Sequence, residues 1–400
     1  MRLVETRLDG GSETVRLTGR IETRSGPVEL WFEYPAALAA LVRNDADVFV
    51  PALLPVAMLR GEPVEIEQPV SRELYRNLDE LQDVFSTWYP REMRRVATRF
   101  PAVVAKAHAE APATVAYFSA GVDSFYSALK RRYDVPTSLP EITHLLYVRG
   151  VEAPLSNDSR VTVDVMRRIA DEIGYPLLAG ATNLRDAFNI DWGDYYCGAG
   201  LAAIGLSLSR GVGHVLIPSS SSYRPEDLYP WSTHPLTDRL WSTEYCRIRQ
   251  CGCEATRAEK IDRVVSRDPV ALRYLRVCTV NRGEFVNCGQ CPKCVRTMIT
   301  LAMLDRLGQA PTFHAPVPSR LVRQVDVGDP VEYQFLCEVL ALAREKHCEN
   351  EVTRAIGRRL RAQARRQAIQ QWLANTPAGP VVAGCRSAYR RLARYLRPKR

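Results

Sequence analysis

The chain has 400 residues, a formal net charge of +9, 46% hydrophobic and 25% charged residues, the proportions of a folded globular chain of about two or three domains. No run approaches the ~18 apolar residues of a membrane span, and Met1–Leu8 lacks the apolar core of a signal peptide, so the expected location is cytoplasmic, with no membrane span. Eleven cysteines in such a chain point to metal binding or catalysis and away from a disulfide framework.

Residues 1–100 read as an α+β accessory module without a catalytic constellation. Val15–Thr23 and Val28–Tyr34 alternate like the strands of a hairpin, with Ser25, Gly26 and Pro27 in its turn. Pro35–Val42 predicts a short helix, Val48–Pro55 a buried strand that ends at prolines, Val64–Glu67 another strand, and Ser71–Phe85 a helix. A substrate cover, a dimerisation surface that would make a homodimer, and a partner site are the roles open to this module.

From 112 to 310 strands and helices alternate, which implies α/β architecture with a parallel sheet covered on both faces. The predicted strands are Thr114–Ser119, Ile142–Val148, Pro176–Ala181 and Gly213–Pro218; the helices are Asp123–Tyr133, Ser159–Ile173 and Tyr195–Leu208. Right-handed crossovers make this a doubly wound sheet, whose ligands bind at the carboxyl ends of the strands where the strand order reverses.

The first strand runs into Ser119, Ala120, Gly121, Val122, Asp123 and Ser124. A strand that feeds a helix N-terminus through small residues presents backbone N–H groups and the positive end of the helix dipole to an anion. The Ser119 and Ser124 hydroxyls are further donors, and phosphate is the expected ligand. The Walker pattern is absent, and no lysine stands in the turn.

This turn resembles the S-G-G-x-D-S signature of the PP-loop ATP pyrophosphatases, the adenine nucleotide alpha hydrolase-like superfamily. Ser119, Gly121, Asp123 and Ser124 match, and Ala120 replaces the first glycine. The resemblance implies a HUP-like domain that binds ATP with Mg²⁺ and holds the departing pyrophosphate with residues 119 to 124, Ala120 and Val122 included. Asp123 is then a Mg²⁺-orienting or helix-capping residue. ATP is cut between its α- and β-phosphates, and AMP is attached to the substrate. The backbone of Tyr147, Val148 and Arg149, at the end of the second strand, is expected to pass the adenine. Glu152 is a candidate ribose or metal ligand.

Two further stretches stand out. Ser219–Tyr223 is polar just past a strand end, where Ser219 is placed to face the α-phosphate or an acyl substrate. Tyr229–Glu244 is a long loop rich in aromatic and charged residues, of the kind that forms lids and pockets. Its Asp238 and Glu244 are candidate Mg²⁺ or substrate ligands. Arg239 and His234 are candidates to hold a carboxylate or neutralise charge at phosphorus. Cys197, on a helix of small residues, reads as a buried structural cysteine.

Cys288, Cys291 and Cys294 form two C-x-x-C steps, with Cys278 ten residues before Cys288. Thiolates at this spacing suit tetrahedral Zn²⁺. Cys278 is the preferred fourth ligand, with Cys246, Cys251 and Cys253 as competitors. A PP-loop followed by this cluster resembles the 7-cyano-7-deazaguanine synthases, which adenylate a carboxylate, amidate it with ammonia and dehydrate the amide to a nitrile. The likeness covers about 112–305. It departs in the spacing before Cys288, in the 219–255 region and in both extensions. A divergent branch of the same superfamily, acting on another substrate, is the expectation.

From Glu351 to the end thirteen Lys and Arg face one acid, so the basic character belongs to a C-terminal helical extension over 325–400. Helices are predicted at Val331–His347, Glu351–Ala374 and Arg386–Leu396, the first opened by Asp329 and Pro330. Basic amphipathic helices meet RNA, acidic membranes or acidic partners.

The expected activity is that of an AMP-forming ligase: a carboxylate or amide is adenylated and then attacked by ammonia or an amine. Position 2 is Arg and the first cysteine is Cys197, which argues against a built-in glutaminase and for free ammonia, a partner's ammonia or a substrate amine. The alternatives are sulfur transfer, to tRNA for instance, through Cys246, Cys251 or Cys253, and a non-catalytic ATP-binding adaptor.

Overall fold

A computed structural model describes residues 1–107, 112–155, 160–278, 280, 285–314 and 318–374. The chain divides into two compact units, Met1–Cys294 with Arg306–His314, and Val295–Asp305 with Ala315–Arg400.

The strands of the first unit are β1 (Arg2–Gly10), β2 (Thr14–Thr23), β3 (Gly26–Pro35), β4 (Val64–Ile66), β5 (Val70–Ser71), β6 (Thr98–Arg99), β7 (Val103–Val104), β8 (Ala113–Tyr117), β9 (His144–Arg149), β10 (Leu177–Thr182), β11 (Val212–Pro218) and β12 (Arg247–Cys251). Its helices are α1 (Phe49–Arg60), α2 (Arg72–Trp88), α3 (Val122–Leu129), α4 (Arg160–Glu172), α5 (Leu184–Phe188), α6 (Cys197–Ser207), α7 (Arg257–Lys260) and α8 (Pro269–Tyr274).

Ten strands form one mostly parallel sheet in the order β12-β11-β8-β9-β10-β3-β2-β1-β4-β6. The run from β12 to β10 pairs in parallel throughout. Strands β8, β9 and β10 advance in one direction, and the chain then returns to lay β11 on the other side of β8. The strand order therefore reverses between β8 and β11, as a doubly wound α/β sheet requires. The buried runs Val115–Tyr117 and Leu145–Val148 suit strands covered on both faces. Strand β2 instead alternates, with Val15, Leu17 and Ile21 inside and Arg16 and Arg20 outside.

The hairpin β2–β3 forms as its alternation predicts, with Gly26 at φ 119° in the turn. The sheet does not stop at residue 100, however. Strand β3 pairs antiparallel with β10, so the N-terminal strands extend the sheet of the 112–310 segment and belong to the same compact unit.

The predicted strand Val48–Pro55 is a helix, α1, which closes at Gly61 with φ 62°. Every residue from Phe49 to Met58 is buried, so the helix carries no amphipathic period, and a short apolar run without period reads equally as strand or helix. Pro51 falls in the first turn, where proline is tolerated. In the second unit the chain forms α9 (Pro292–Met303, from Val295 onward), α10 (Pro318–Gln324), α11 (Pro330–Glu345) and α12 (Glu351–Ala374). Asp329 caps α11, its Oδ1 accepting from the N–H groups of Val331 at 2.8 Å and Glu332 at 3.1 Å. The predicted helix Arg386–Leu396 lies outside the described residues. Among the described residues no helix is long and apolar enough to cross a membrane.

Candidate functional site

Strand β8 ends at Tyr117, and the chain reverses at Ala120, which takes the left-handed φ of 57° and is fully buried. Gly121 then stands as the N-cap of α3, and no side chain caps that helix, so its first-turn N–H groups face the space beyond the strand end. The hydroxyl of Ser124 turns back into the loop, donating to Gly121 O at 3.1 Å and accepting from Ser119 N at 3.3 Å.

Asp123 does not cap the helix. Its Oδ2 accepts from Arg257 at 2.6 Å and its Oδ1 from Lys260 at 3.1 Å. Burial pushes the Asp123 carboxyl up, but these two cations together outweigh it and hold the group below its usual range. The Lys260 ammonium is fully buried and also donates to the Ser219 carbonyl. The Arg276 backbone donates to Ala120 O at 2.8 Å, and its guanidinium reaches Glu152 Oε2 at 2.8 Å. Glu152 is thus an ion-pair partner of the loop's own support. Lys293 reaches solvent, yet enough protein surrounds it that desolvation, and then the charge of Arg257, hold its ammonium below the usual lysine range. Three cations, Arg257, Lys260 and Lys293, therefore act on Asp123 in the turn, and the Arg276 backbone braces it.

At the end of β9 Val148 is buried and Arg149 half-buried. Gly150 follows at φ 87°, where an added Cβ would meet Thr182 O at 1.9 Å, so no side chain fits.

Ser219, expected to face a phosphate, is committed within the protein. Its Oγ donates to Gln250 Oε1 at 2.6 Å, and Gln250 Nε2 donates to Asp238 Oδ2 at 2.8 Å. Through Lys260, this chain of bonds joins Asp238 to Asp123. Asp238 itself is fully buried, and burial pushes its carboxyl up to about 7, against the partial offset of Gln250 and the His234 N–H. It acts on the loop through Gln250 and has no exposed oxygen for a metal.

Glu244 is placed elsewhere. It accepts from Ser71 Oγ and, at 2.9 Å, from Glu73 N, sitting at the N-terminus of α2. Burial raises this carboxyl, and those donations more than offset it. His234 is buried against Trp88 with ring centroids 4.9 Å apart, and desolvation keeps its imidazole below the usual range. That disfavours a charge-neutralising role. The long loop thus sends its expected ligands to three different places. It approaches α6 closely because Gly198 has no Cβ to strike Ser232 O at 2.3 Å.

Arg239 is the exception. With Arg249, Gln250, Cys253 and Tyr223 it lines a cavity of about 440 Å³ beside the carboxyl end of β12. Arg239 and Arg249 are exposed and form no ion pair among the described residues, whereas Lys130 on the same wall is bound to Glu254 at 2.9 Å.

The cysteine cluster closes as its spacing predicts. One sulfur from each of Cys278, Cys288, Cys291 and Cys294 lies within 4.8 Å of all the others. Tetrahedral Zn²⁺ with bonds of about 2.3 Å needs sulfurs about 3.8 Å apart; Cys288 and Cys294 stand at 3.9 Å and Cys291 and Cys294 at 3.4 Å. The knuckle turns at Gly289, φ 69°, and the N–H of Cys291 points at Cys288 Sγ at 3.3 Å. Buried Asn287 ties the two cysteine-bearing segments together: its Oδ1 accepts from Cys278 N at 3.1 Å and its Nδ2 donates to Leu275 O at 2.8 Å. The donor set and its N–H···S support fit zinc. The competing Cys246, Cys251 and Cys253 are buried outside the cluster. Between Cys278 and Cys288, Thr279 and residues 281–284 lie outside the described residues.

Sequence reasoning passed over Arg257, Lys260, Arg276, Lys293, Arg249 and Gln250. Arg257 and Lys260 carried a signal, since they lie three apart on one face of a helix opened by the Thr256–Glu259 capping box. The others belong to the site through tertiary contact alone. Comparison with known proteins finds no matching family model, no matching curated protein and no matching solved structure.

Proposed function

We propose that the protein is an AMP-forming ligase of the PP-loop type, binding ATP with Mg²⁺ at the turn after β8. The observation that carries this reading is the convergence of Lys260, Arg257 and Lys293 on a turn, braced by the Arg276 N–H, that opens directly into the N-terminus of α3 where the strand order reverses. In this reading a substrate carboxylate oxygen attacks the α-phosphorus and the α–β bridging bond breaks. The electron pair leaves on pyrophosphate, whose growing charge the loop N–H groups and surrounding cations stabilise. Ammonia or an amine then attacks the acyl carbon, and AMP departs. The cavity bearing Arg239 and Arg249 is the proposed seat of the acidic substrate, and the four-cysteine site a structural zinc centre.

The sulfur-transfer reading loses support, because burial pushes the Cys246 thiol up to about 12 and also raises Cys253. The adaptor reading keeps one favourable observation: both Asp123 oxygens already accept from cations, with which Mg²⁺ at that carboxylate has to compete.

Product analysis separates the two. Purified protein is incubated with ATP, Mg²⁺, ammonium and a pool of carboxylate metabolites, beside Ser119→Ala. Formation of AMP and pyrophosphate, reduced on the order of a hundredfold in the variant, is the expected result. ADP and phosphate would refute the α–β cleavage. ATP bound without turnover would favour the adaptor.

A further inference from the structure

We propose that the groove between α10 and α12 is a docking site for the phosphates of a single-stranded nucleic acid. The groove has a volume of about 280 Å³, is lined by Arg323, Arg358, Arg359 and Arg366 with Ser319 and Gln363, and has no carboxylate in its wall. Arg323, Arg358 and Arg366 are exposed and form no ion pair among the described residues. Arg359 donates to Val325 O, and its Nε is buried without a hydrogen-bond partner.

The two acids that flank the groove lining, Asp326 and Asp329, are not in its wall and accept backbone N–H groups, Asp326 from Gly328 at 2.9 Å and Asp329 from Val331 and Glu332 at the start of α11. Helix α12 carries six arginines against Glu351 alone, and residues 375–400 add seven Lys and Arg and no acid. An anion held here comes from elsewhere. Arg358 and Arg366 lie two turns apart on α12, roughly 12 Å along its axis, farther than one phosphate spans, so the ligand carries several charges in a row. Guanidinium forks match phosphate oxygens better than point charges do.

Two exposed apolar side chains choose among polyanions. Ile369 continues the groove stripe one turn beyond Arg366 and Trp372 follows it, at 56% and 66% exposure. An indole beside a cationic track is a stacking platform for unpaired bases. A membrane-lying helix needs a broad apolar face, and the exposed stretch 361–372 offers only these two large hydrophobic residues.

The proposal is independent of the adenylation chemistry and is tested on the full chain. Anisotropy of a fluorescein-labelled oligouridylate is titrated at several salt concentrations with wild type, Arg358→Glu/Arg366→Glu and Arg358→Lys/Arg366→Lys, with thermal melts as the folding control. The expected result is binding by wild type, weakened about tenfold or more by the Glu pair, with the slope of log K against log salt reduced by about two; the Lys pair, which keeps the charge and loses the forks, keeps the wild-type salt slope at an affinity between the two. Should the Glu pair melt early, Arg358→Gln/Arg366→Gln replaces it. Equal affinity of wild type and the charge-altered variant would overturn the proposal, since binding then runs through other residues. So would absence of RNA binding by wild type, or capture of phosphatidylserine vesicles in its place.

Discussion

The turn after β8 and the cysteine knuckle meet the same conformational demand with different residues. Both reverse the chain through a left-handed residue and both present backbone N–H groups. The knuckle places Gly289 there at φ 69°, whereas the turn places Ala120 at φ 57°. A side chain in that region costs about 1–2 kcal/mol. The alanine persists because its surroundings over-determine it, with the Arg276 N–H on its carbonyl and Ser124 Oγ on the preceding amide. The difference separates two kinds of rigidity. The knuckle gathers four sulfurs at metal-binding distance, while the turn is held by a frame of its own side chains and backbone.

The comparison breaks first at the metal. Protein prepared with zinc should retain it, and Cys291→Ser should lose it along with metal-binding free energy on the order of 10 kcal/mol. Metal analysis and chelator-dependent melting check this: the chelator should lower the melting temperature of wild type and leave the variant unmoved. The next effect lies in the frame. Lys260→Met removes a buried ammonium from Asp123 and the Ser219 carbonyl, and denaturant melts should show a loss of about 3–5 kcal/mol. Equal stability would mean that Arg257 alone holds the carboxylate.

Asp238 gives the frame a pH signature. Its carboxyl is pushed from 3.8 up to about 7 by burial, so the folded chain holds that proton more tightly than the unfolded chain does. The stabilising contribution is full below the lower value and is lost as pH rises through the upper one. Wild type should lose stability relative to Asp238→Asn between about pH 4 and about pH 7, by denaturant melts at both ends of that window. A constant difference across the window would show the shift to be absent.

The smallest effects sharpen the two turns directly. Gly289→Ala should destabilise by about 1–2 kcal/mol, while Ala120→Gly should be neutral or stabilising by under about 1 kcal/mol, the relief of strain being offset by the entropy of glycine in the unfolded chain. In paired thermal melts, loss of stability in Gly289→Ala alone supports the comparison, and loss in both refutes it.

Sequence made the centre of the fold legible. Strands β8, β9, β10 and β11 lie within a few residues of their predicted spans because buried parallel strands are continuous apolar runs. The cluster of Cys278, Cys288, Cys291 and Cys294 was legible because ligand spacing is local. The α1 segment was not, since burial on every side erases helical period. Strand β12, Arg-Ile-Arg-Gln-Cys, was hidden by the polar residues that an edge position allows. Asp238, Arg239 and Glu244 are near neighbours in sequence, but the loop's folding sends them to Gln250, to the cavity and to the start of α2. Proximity along a loop says little about which side chains will meet.

The seam between β3 and β10 bears on how the chain is made. Trp31 N–H donates to the Asn183 side chain at 2.9 Å, across 152 positions of sequence. At a synthesis rate of ~5–20 residues per second, the completed hairpin waits roughly 8–30 s for the strand that covers it. During that wait β3 is an open edge, the kind of template on which chains pair with one another. Glu29 and Glu33 place charged side chains along that strand, of the kind that blunts an exposed edge, and Arg16 of β2 already holds Glu33 at 2.6 Å.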